Sequence, residues 1–318
     1  MALSNLHTNY KVSYKNDLIN LTKLKENGSL LGGSLDDLNA QAEKTANSIA
    51  LGYGYDAFQH YDTITTDLAG LATSKQSGLS DIQAIQAVKD LIDTHRVKVG
   101  DNWQFKEGGG IKTLEDLRDK INLRITLSTE KNAETLMLKE LNSMEMKVKA
   151  KTGLGESNEL IALVDLAFNG GVGIIGSNLV NAINTDNRVA AWYEIRYNTN
   201  KNKDDGLQNR RKEQSDLFGL YSSIDGKTPV NDNEAKNVIR YLENKRISIL
   251  TYLSKITHTD MSDLDNALSP AKNRLISNYA QGVTIDRSIV VGTGIGQTGS
   301  PESFADVTKD SSFDDTLN

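Results

Sequence analysis

The sequence predicts an α+β fold that is predominantly helical, with a small Gly-rich β-hairpin lobe and a helical C-terminal lobe. Two observations carry this. Apolar residues recur at helical spacing through most of the chain between Ser80 and Ile256, whereas SIALGYGYD, Ser48 to Asp56, alternates glycines with tyrosines and breaks a strand into a turn.

The first forty residues are mixed, with Leu18, Leu21 and Leu24 followed by the Gly/Ser-rich break NGSLLGGS. Ser34 is an N-cap for a helix SLDDLNAQAEKT, with Asp36 and Asp37 in the first turn where carboxylates suit the helix dipole. That helix is expected to end near Glu43 and to lead into the hairpin. A second helix is predicted from Ser80 to His95, with Ile82, Ile85, Val88, Leu91 and Ile92 inward. KEGGGIK, Lys106 to Lys112, reads as a loop. TLEDLRDKI and STEKNAETLMLKELNSMEMKVKA follow as helices, the longer one turning Leu136, Leu138, Leu141, Met144 and Val148 to a core.

The stretch from Glu159 to Tyr221 is the most organised. ELIALVDLAF sets Leu160, Leu163, Val164 and Ala167 on one face, and the glycines of FNGGVGIIGSN end it. Ser177 is predicted to cap the next helix and Asp186 to cap NRVAAWYEIRY. In LQNRRKEQSDLFGLY, Leu207, Arg210 or Arg211, Gln214, Leu217 and Phe218 share a side. Asn231 to Ile256 reads as one long helix with an Asn231/Glu234 capping pair, serving to pack on the preceding domain or as a partner-binding arm. From 282 to 318 Gly, Ser, Thr and Asp dominate, as in a linker or weakly ordered tail.

Composition narrows the chemistry. The 318 residues carry a net charge of −6, 25% charged and 38% hydrophobic side chains, and no cysteine. Disulfides, thiolate catalysis and cysteine zinc sites are excluded. The acidic balance argues against non-specific binding to nucleic acid or to an anionic membrane surface. No segment approaches the roughly 18 apolar residues of a membrane span, and MALSNLHTNYKVSYKNDL lacks the apolar core of a signal peptide. His7, His60, His95 and His258 are not within metal-ligand spacing of one another, which argues against a zinc site or a Ser–His–Asp triad. GTGIGQTG lacks the Lys-Ser/Thr ending of a phosphate-binding loop. No metal and no cofactor is therefore expected. What remains is carboxylate chemistry: a protonated acid at a glycosidic oxygen and a second carboxylate as base or nucleophile. Glu43 before the hairpin and Asp56 at its end would supply both.

The run ALVDLAFNGGVGIIGSNLVNAINTDNRVAAWYEIRY, with GLQNRRKEQSDLF after it, resembles the C-terminal lobe of phage-type lysozymes (endolysins, glycoside hydrolase family twenty-four). The pieces that match, in order, are Ala162 to Gly171, Ser177 to Asn184 and Gly206 to Phe218. Upstream, ITLSTEKNAETLMLKEL and ALGYGYD resemble the family's central helix and its Gly-rich hairpin, with an insertion between Asp56 and Ile125. The resemblance implies a lysozyme-like fold and muramidase activity on peptidoglycan, with Tyr53, Tyr55, Asn169 and Arg211 binding the substrate. It also implies a Glu about seventeen residues before the first hairpin glycine, but Leu35, Lys44 and Ala50 stand where the family has its Glu, Asp and Thr. The acid is then Glu43, ending its helix at the hairpin with Asp56 as partner, or Glu26 in KLKENG beyond an insertion. Asp36, Asp37 and Asp62 are further alternatives. The domains follow as an N-terminal extension (1–33), a lysozyme-like domain (34–224), a helical extension (225–281) and the tail (282–318). The acidic charge favours delivery to the cell wall or periplasm by a larger machine, with a delivery or immunity partner, over a free-acting endolysin. A non-cutting peptidoglycan- or partner-binding module of a phage tail or secretion apparatus is the rival expectation.

Overall fold

The computed structural model describes residues 3, 5–8, 13–27, 41–42, 48–100, 102–127, 129–200, 205–255 and 262–280. The chain divides into two compact units, one of residues 12–147 and one of residues 1–11 with 148–318.

In the first unit, helix α1 (Tyr14–Asn27) buries Tyr14 and Leu18. Strands β1 (Gln41–Ala42), β2 (Ile49–Leu51) and β3 (Tyr55–Asp56) form an antiparallel sheet in that order, with Gln41 opposite Ala50 and Leu51 opposite Tyr55. Gln41 and Ala42 are thus in a strand, not in the last turn of a helix; residues 34–40 and Glu43 lie outside the described residues. The turn between β2 and β3 needs its glycines. Gly52 and Gly54 have φ of 58° and 89°, and a Cβ on Gly52 would stand 3.1 Å from side-chain carbons of Ala133 and Leu127.

The expected insertion is built from α2 (Ile64–Leu68), β4 (Ala72–Ser74), α3 (Asp81–His95), a hairpin of β5 (Arg96–Val99) and β6 (Asn102–Phe105), α4 (Leu114–Asn122) and β7 (Ile125–Leu127). β4 pairs antiparallel with β7, Ala72 opposite Leu127, so the insertion closes on itself. Capping boxes start α3 at Ser80/Gln83 and α4 at Thr113/Asp116. α3 buries Ala84, Ile85, Val88 and Ile92, but Ile82 is 75% exposed because it falls on the outer side of the first turn. Helix α5 (Glu130–Thr152) buries Leu136, Leu141 and Val148 as expected, with Met137 rather than Leu138 completing the stripe. The division between units falls inside it.

The second unit is helical among the described residues. α6 (Asn158–Gly170), capped by Ser157, is buried from Glu159 through Ala167, all round rather than on one face, which marks it as the central helix of this unit. Gly171, at φ 73°, ends it and leads into a 3-10 turn, Val172–Ile174. α7 (Ser177–Asn184) starts at its predicted cap residue, so the N-cap lies one residue earlier: it is Gly176, which offers no side-chain acceptor. α8 (Arg188–Tyr193) is capped by Asn187, whose Oδ1 accepts from the Ala190 N–H, not by Asp186, which sits in the preceding turn at φ 57°. A π-helical turn, Glu194–Asn198, continues α8, and α9 (Asp205–Phe218) packs on α6.

The long helix expected from Asn231 is two, α10 (Asp232–Asn244) and α11 (Arg246–Leu253), joined at Lys245. The Lys245 N–H turns to the carbonyls of Tyr241, Leu242 and Glu243, a tightened end that apolar spacing does not register. α12 (Asp263–Ala280) packs on α10, and its Asp263 is clamped by both Arg196 and Lys212. These helices are therefore built into the unit instead of projecting from it. The tail from 282 lies outside the described residues. Among the described residues, no helix is long and apolar enough to cross a membrane.

Candidate active site

Of the expected pair only Asp56 lies among the described residues, and it is half-buried. Asp56 accepts hydrogen bonds from the Ser48 hydroxyl and from the backbone N–H groups of Phe58 (2.9 Å) and Gln59 (3.1 Å), the pattern of a side chain capping the turn after β3. Tyr53 and Tyr55, expected to bind substrate, are fully buried. Tyr53 donates to Glu130 (3.2 Å) and Tyr55 to Asp67 (2.8 Å), while the Tyr55 ring stacks on His60 at 4.7 Å. Alternation of glycine and tyrosine serves the core here: glycine lets the turn close and tyrosine fills the space under it, with its hydroxyl satisfied at the edge.

Glu26, the alternative acid to Glu43, stands at a helix end. It is half-buried in the last turn of α1. One turn back, Lys23 is paired with Glu130 at the start of α5 and stands 5.3 Å from the Tyr53 ring centroid. Residues three apart share a helix side, so the turn that carries Glu26 is fastened beside the hairpin. Asp62 sits exposed beyond it, and Asp36 and Asp37 lie outside the described residues.

In the other unit, α6 and α9 are joined by a polar network. Arg210 holds Asp165 through two contacts, Nη2 to Oδ1 at 2.8 Å and Nε to Oδ2 at 3.4 Å, and Gln214 donates to the same carboxylate. Arg211, expected to bind substrate, is 1% exposed and donates to Gln214 (2.8 Å) and to Asn169 Oδ1 (2.8 Å). Burial, with Arg210 beside it, pushes the Arg211 guanidinium down to about 10. Arg211 is thus a core strut that orients the Asn169 amide. Asn169 itself is half-buried and adjoins Gly170 on the wall of a cavity.

That cavity, of about 1050 Å³, opens between the start of α7, the π-helical turn and α11. Ser177, Glu194, Tyr197, Asn200, Tyr252 and Lys255 face it. Asn200 is 2% exposed and donates to the Tyr252 hydroxyl at 3.2 Å, so its polar wall is pre-ordered. Burial raises the Glu194 carboxyl above its ordinary value, against a hydrogen bond from Asn198. Among the described residues, no group of three His, Asp or Glu side chains is placed to hold a metal ion.

Residues 108–214 match the phage lysozyme family model. Over that stretch the chain is similar to phage lysozymes. The match takes in the α6, α7 and α8 segments and most of α9, and it begins past the Gly-rich hairpin, so the hairpin and α1 stand outside it. No curated protein and no solved structure matches the chain. Similarity to phage lysozymes suggests peptidoglycan hydrolysis in general.

The sequence reading passed over Asp165, Glu159 and Glu140, three carboxylates with definite partners. The signal was available for two of them: Asp165 interrupts the apolar run ALVDLAF and Glu159 opens it, and an acid inside a fully buried helix must be paired.

Proposed function

We propose that this protein is a muramidase that cleaves the β-1,4 bond between N-acetylmuramic acid and N-acetylglucosamine in peptidoglycan, with Glu26 as general acid. The observation that carries it is the fastening of the last turn of α1, with Glu26, to the hairpin through Lys23, Glu130 and Tyr53, in a chain whose later helices match the phage lysozyme family. A general acid needs a fixed position beside the scissile oxygen, and a helix end tied at two points supplies it. Glu43, after strand β1, is the competing acid. Asp56 is the partner carboxylate of the sequence reading; held by two amides and a hydroxyl, it suits electrostatic support of positive charge developing on the sugar. Asn169, oriented by Arg211, offers an amide that could bond an acetamido group. Delivery to the wall or periplasm by a larger assembly accords with the acidic charge.

Glu26→Gln is expected to lower release of reducing ends from purified cell walls by about 10³-fold or more while leaving the thermal melting curve unchanged, the scale of removing an essential acid. Full activity in Glu26→Gln together with its loss in Glu43→Gln would transfer the role to Glu43. Wild-type chain that binds walls and releases no reducing ends would select the non-cutting binding module.

A further inference from the structure

We infer that one end of the unit of residues 12–147, where the β4–α3 turn meets the α4–β7 turn, docks on an anionic phospholipid surface. Leu79, Ile82 and Leu123 enter the apolar layer there, and Lys75, Lys120 and Arg124 hold the headgroups. This surface lies outside the hydrolase reading, and neither needs the other.

Hydrogen bonds to the backbone bring the stretches together. The Lys75 N–H donates to the Arg124 carbonyl (2.9 Å), which carries the β4–β7 pairing one step past Ser74 and Ile125. The Leu79 N–H folds back to the Gln76 carbonyl (3.3 Å), and the Asp81 carboxylate accepts from the Ser74 N–H (2.7 Å), so the first turn of α3 is set against the end of β4. Across from it, Arg124 Nη1 donates to the Lys120 carbonyl (2.7 Å), and Lys120, Leu123 and Arg124 share one turn. The apolar members are open to solvent: Leu79 is 39% exposed, Ile82 75% and Leu123 62%. Single exposed aliphatics are ordinary, but three drawn from two stretches to one end make a patch. Leu79 and Ile82 precede residues 108–214, so the family-matched segment does not build it alone.

Charge decides the occupant. Lys75 and Lys120 are exposed and Arg124 is half-buried, and among the described residues none of the three is paired with a carboxylate. The acids nearby are already engaged: Asp119 accepts from Arg118 Nε (3.1 Å) and Nη2 (3.0 Å), and Asp81 from the Ser74 N–H. The net charge of −6 belongs to the whole chain. Exposed charges are screened beyond about 8 Å at physiological ionic strength, so a headgroup meets the patch rather than the total. A protein partner is the poorer fit, because three aliphatic side chains supply far less than the about 800 Å² that each partner buries in a stable interface. A bilayer sets no such threshold: affinity rises with each apolar side chain that enters and each cation near the surface.

The full chain is sedimented with vesicles of phosphatidylglycerol and phosphatidylcholine, and with vesicles of phosphatidylcholine alone. Partition onto the mixed vesicles that weakens with added salt, and little onto the neutral ones, is expected. The Ile82→Ser, Leu123→Ser double variant should lower that partition by about tenfold or more, and Lys75→Gln and Lys120→Gln by about fivefold each. All four positions are exposed, and melting curves separate folding from binding; should the double variant melt early, the two lysine variants decide. Equal partition onto both kinds of vesicle, or wild-type partition in natively melting variants, would overturn the inference. So would failure to sediment with either vesicle, and concentration-dependent self-association lost in Ile82→Ser would then give the patch to a second copy of the chain. Sedimentation reads no cleavage, so the outcome stands whether or not the chain releases reducing ends from walls.

Discussion

Among the described residues each unit holds a histidine beside a glutamate, and the two pairs behave in opposite ways. In the unit of residues 12–147, His60 pairs with Glu140 of α5, and hydrogen bonding to that carboxylate raises the imidazole above its ordinary value despite partial burial. In the other unit, His7 Nδ1 lies 3.1 Å from Glu159 and Nε2 lies 3.1 Å from the Tyr221 carbonyl, yet burial lowers its pKa, and Arg188 adds to the lowering. The difference is the third partner. Glu159 already accepts from Arg188 at 2.7 Å and from the His7 backbone N–H, so its charge is committed. A second cation there, with the ring side chain only 3% exposed, would cost more than the one hydrogen bond that the neutral ring leaves unmade. A carboxylate therefore does not by itself decide the charge of the histidine beside it; what else that carboxylate holds does.

The contrast is broken most severely at Glu159. Glu159→Ala strands Arg188 as an uncompensated buried charge, and a loss of about 3–5 kcal/mol is expected in denaturant unfolding. A cost below 1 kcal/mol would show that Arg188 finds water. Gly219→Ala acts on the same histidine from the other side: at φ 80° its Cβ would lie 2.5 Å from His7 Cε1, and about 1–3 kcal/mol is the expected penalty. Next in size is the pH response of the pairs. Because folding raises the His60 pKa, its contribution is fully present below the unfolded value near 6.5 and is lost as pH rises through the folded value; His60→Gln should flatten that loss, about 1 kcal/mol in a series of melts. Because folding lowers the His7 pKa, its contribution runs the other way, present above the unfolded value and lost as pH falls through the folded one. Ring-proton titration midpoints lying on the same side of about 6.5 for both residues would contradict this. Smallest is Lys131→Ala on the same helix as Glu140, which removes an ion pair to Glu134 from a lysine side chain 74% exposed; less than about 0.5 kcal/mol should be lost.

How far this was legible in the residues depends on the range of the signal. Helix starts written as Ser80/Gln83 and Thr113/Asp116 were readable because cap and partner are three residues apart, and both stretches were read as starting at those residues, although neither was named as a capping box. The apolar stripe of α5 and the Gly-rich turn at Gly52 and Gly54 were readable for the same reason. The break at Lys245 was not, since Leu242 and Ile249 are both buried and their spacing suits an unbroken helix. Strand β1 was hidden because a two-residue strand has no period of its own and is made by its partner, Ile49–Ala50. At the candidate site, the residue types pointed to carboxylates and sugars, but which carboxylate ends a helix, and whether a tyrosine faces solvent or core, are settled by segments such as α5 far along the chain.

The order in which the chain is made gives the His7 cluster another meaning. Residues 5–8 are bonded to Glu159, Arg188 and Tyr221, across separations of 152 to 214 residues, and Gly226 closes against Gly219 beside the His7 ring. On a ribosome adding about 5–20 residues per second, this segment is exposed for many seconds before its acceptors exist. Residues 12–147 are complete by then. Assembly is therefore out of sequence: residues 12–147 have the chance to fold before residues 5–8, which precede them, are sealed.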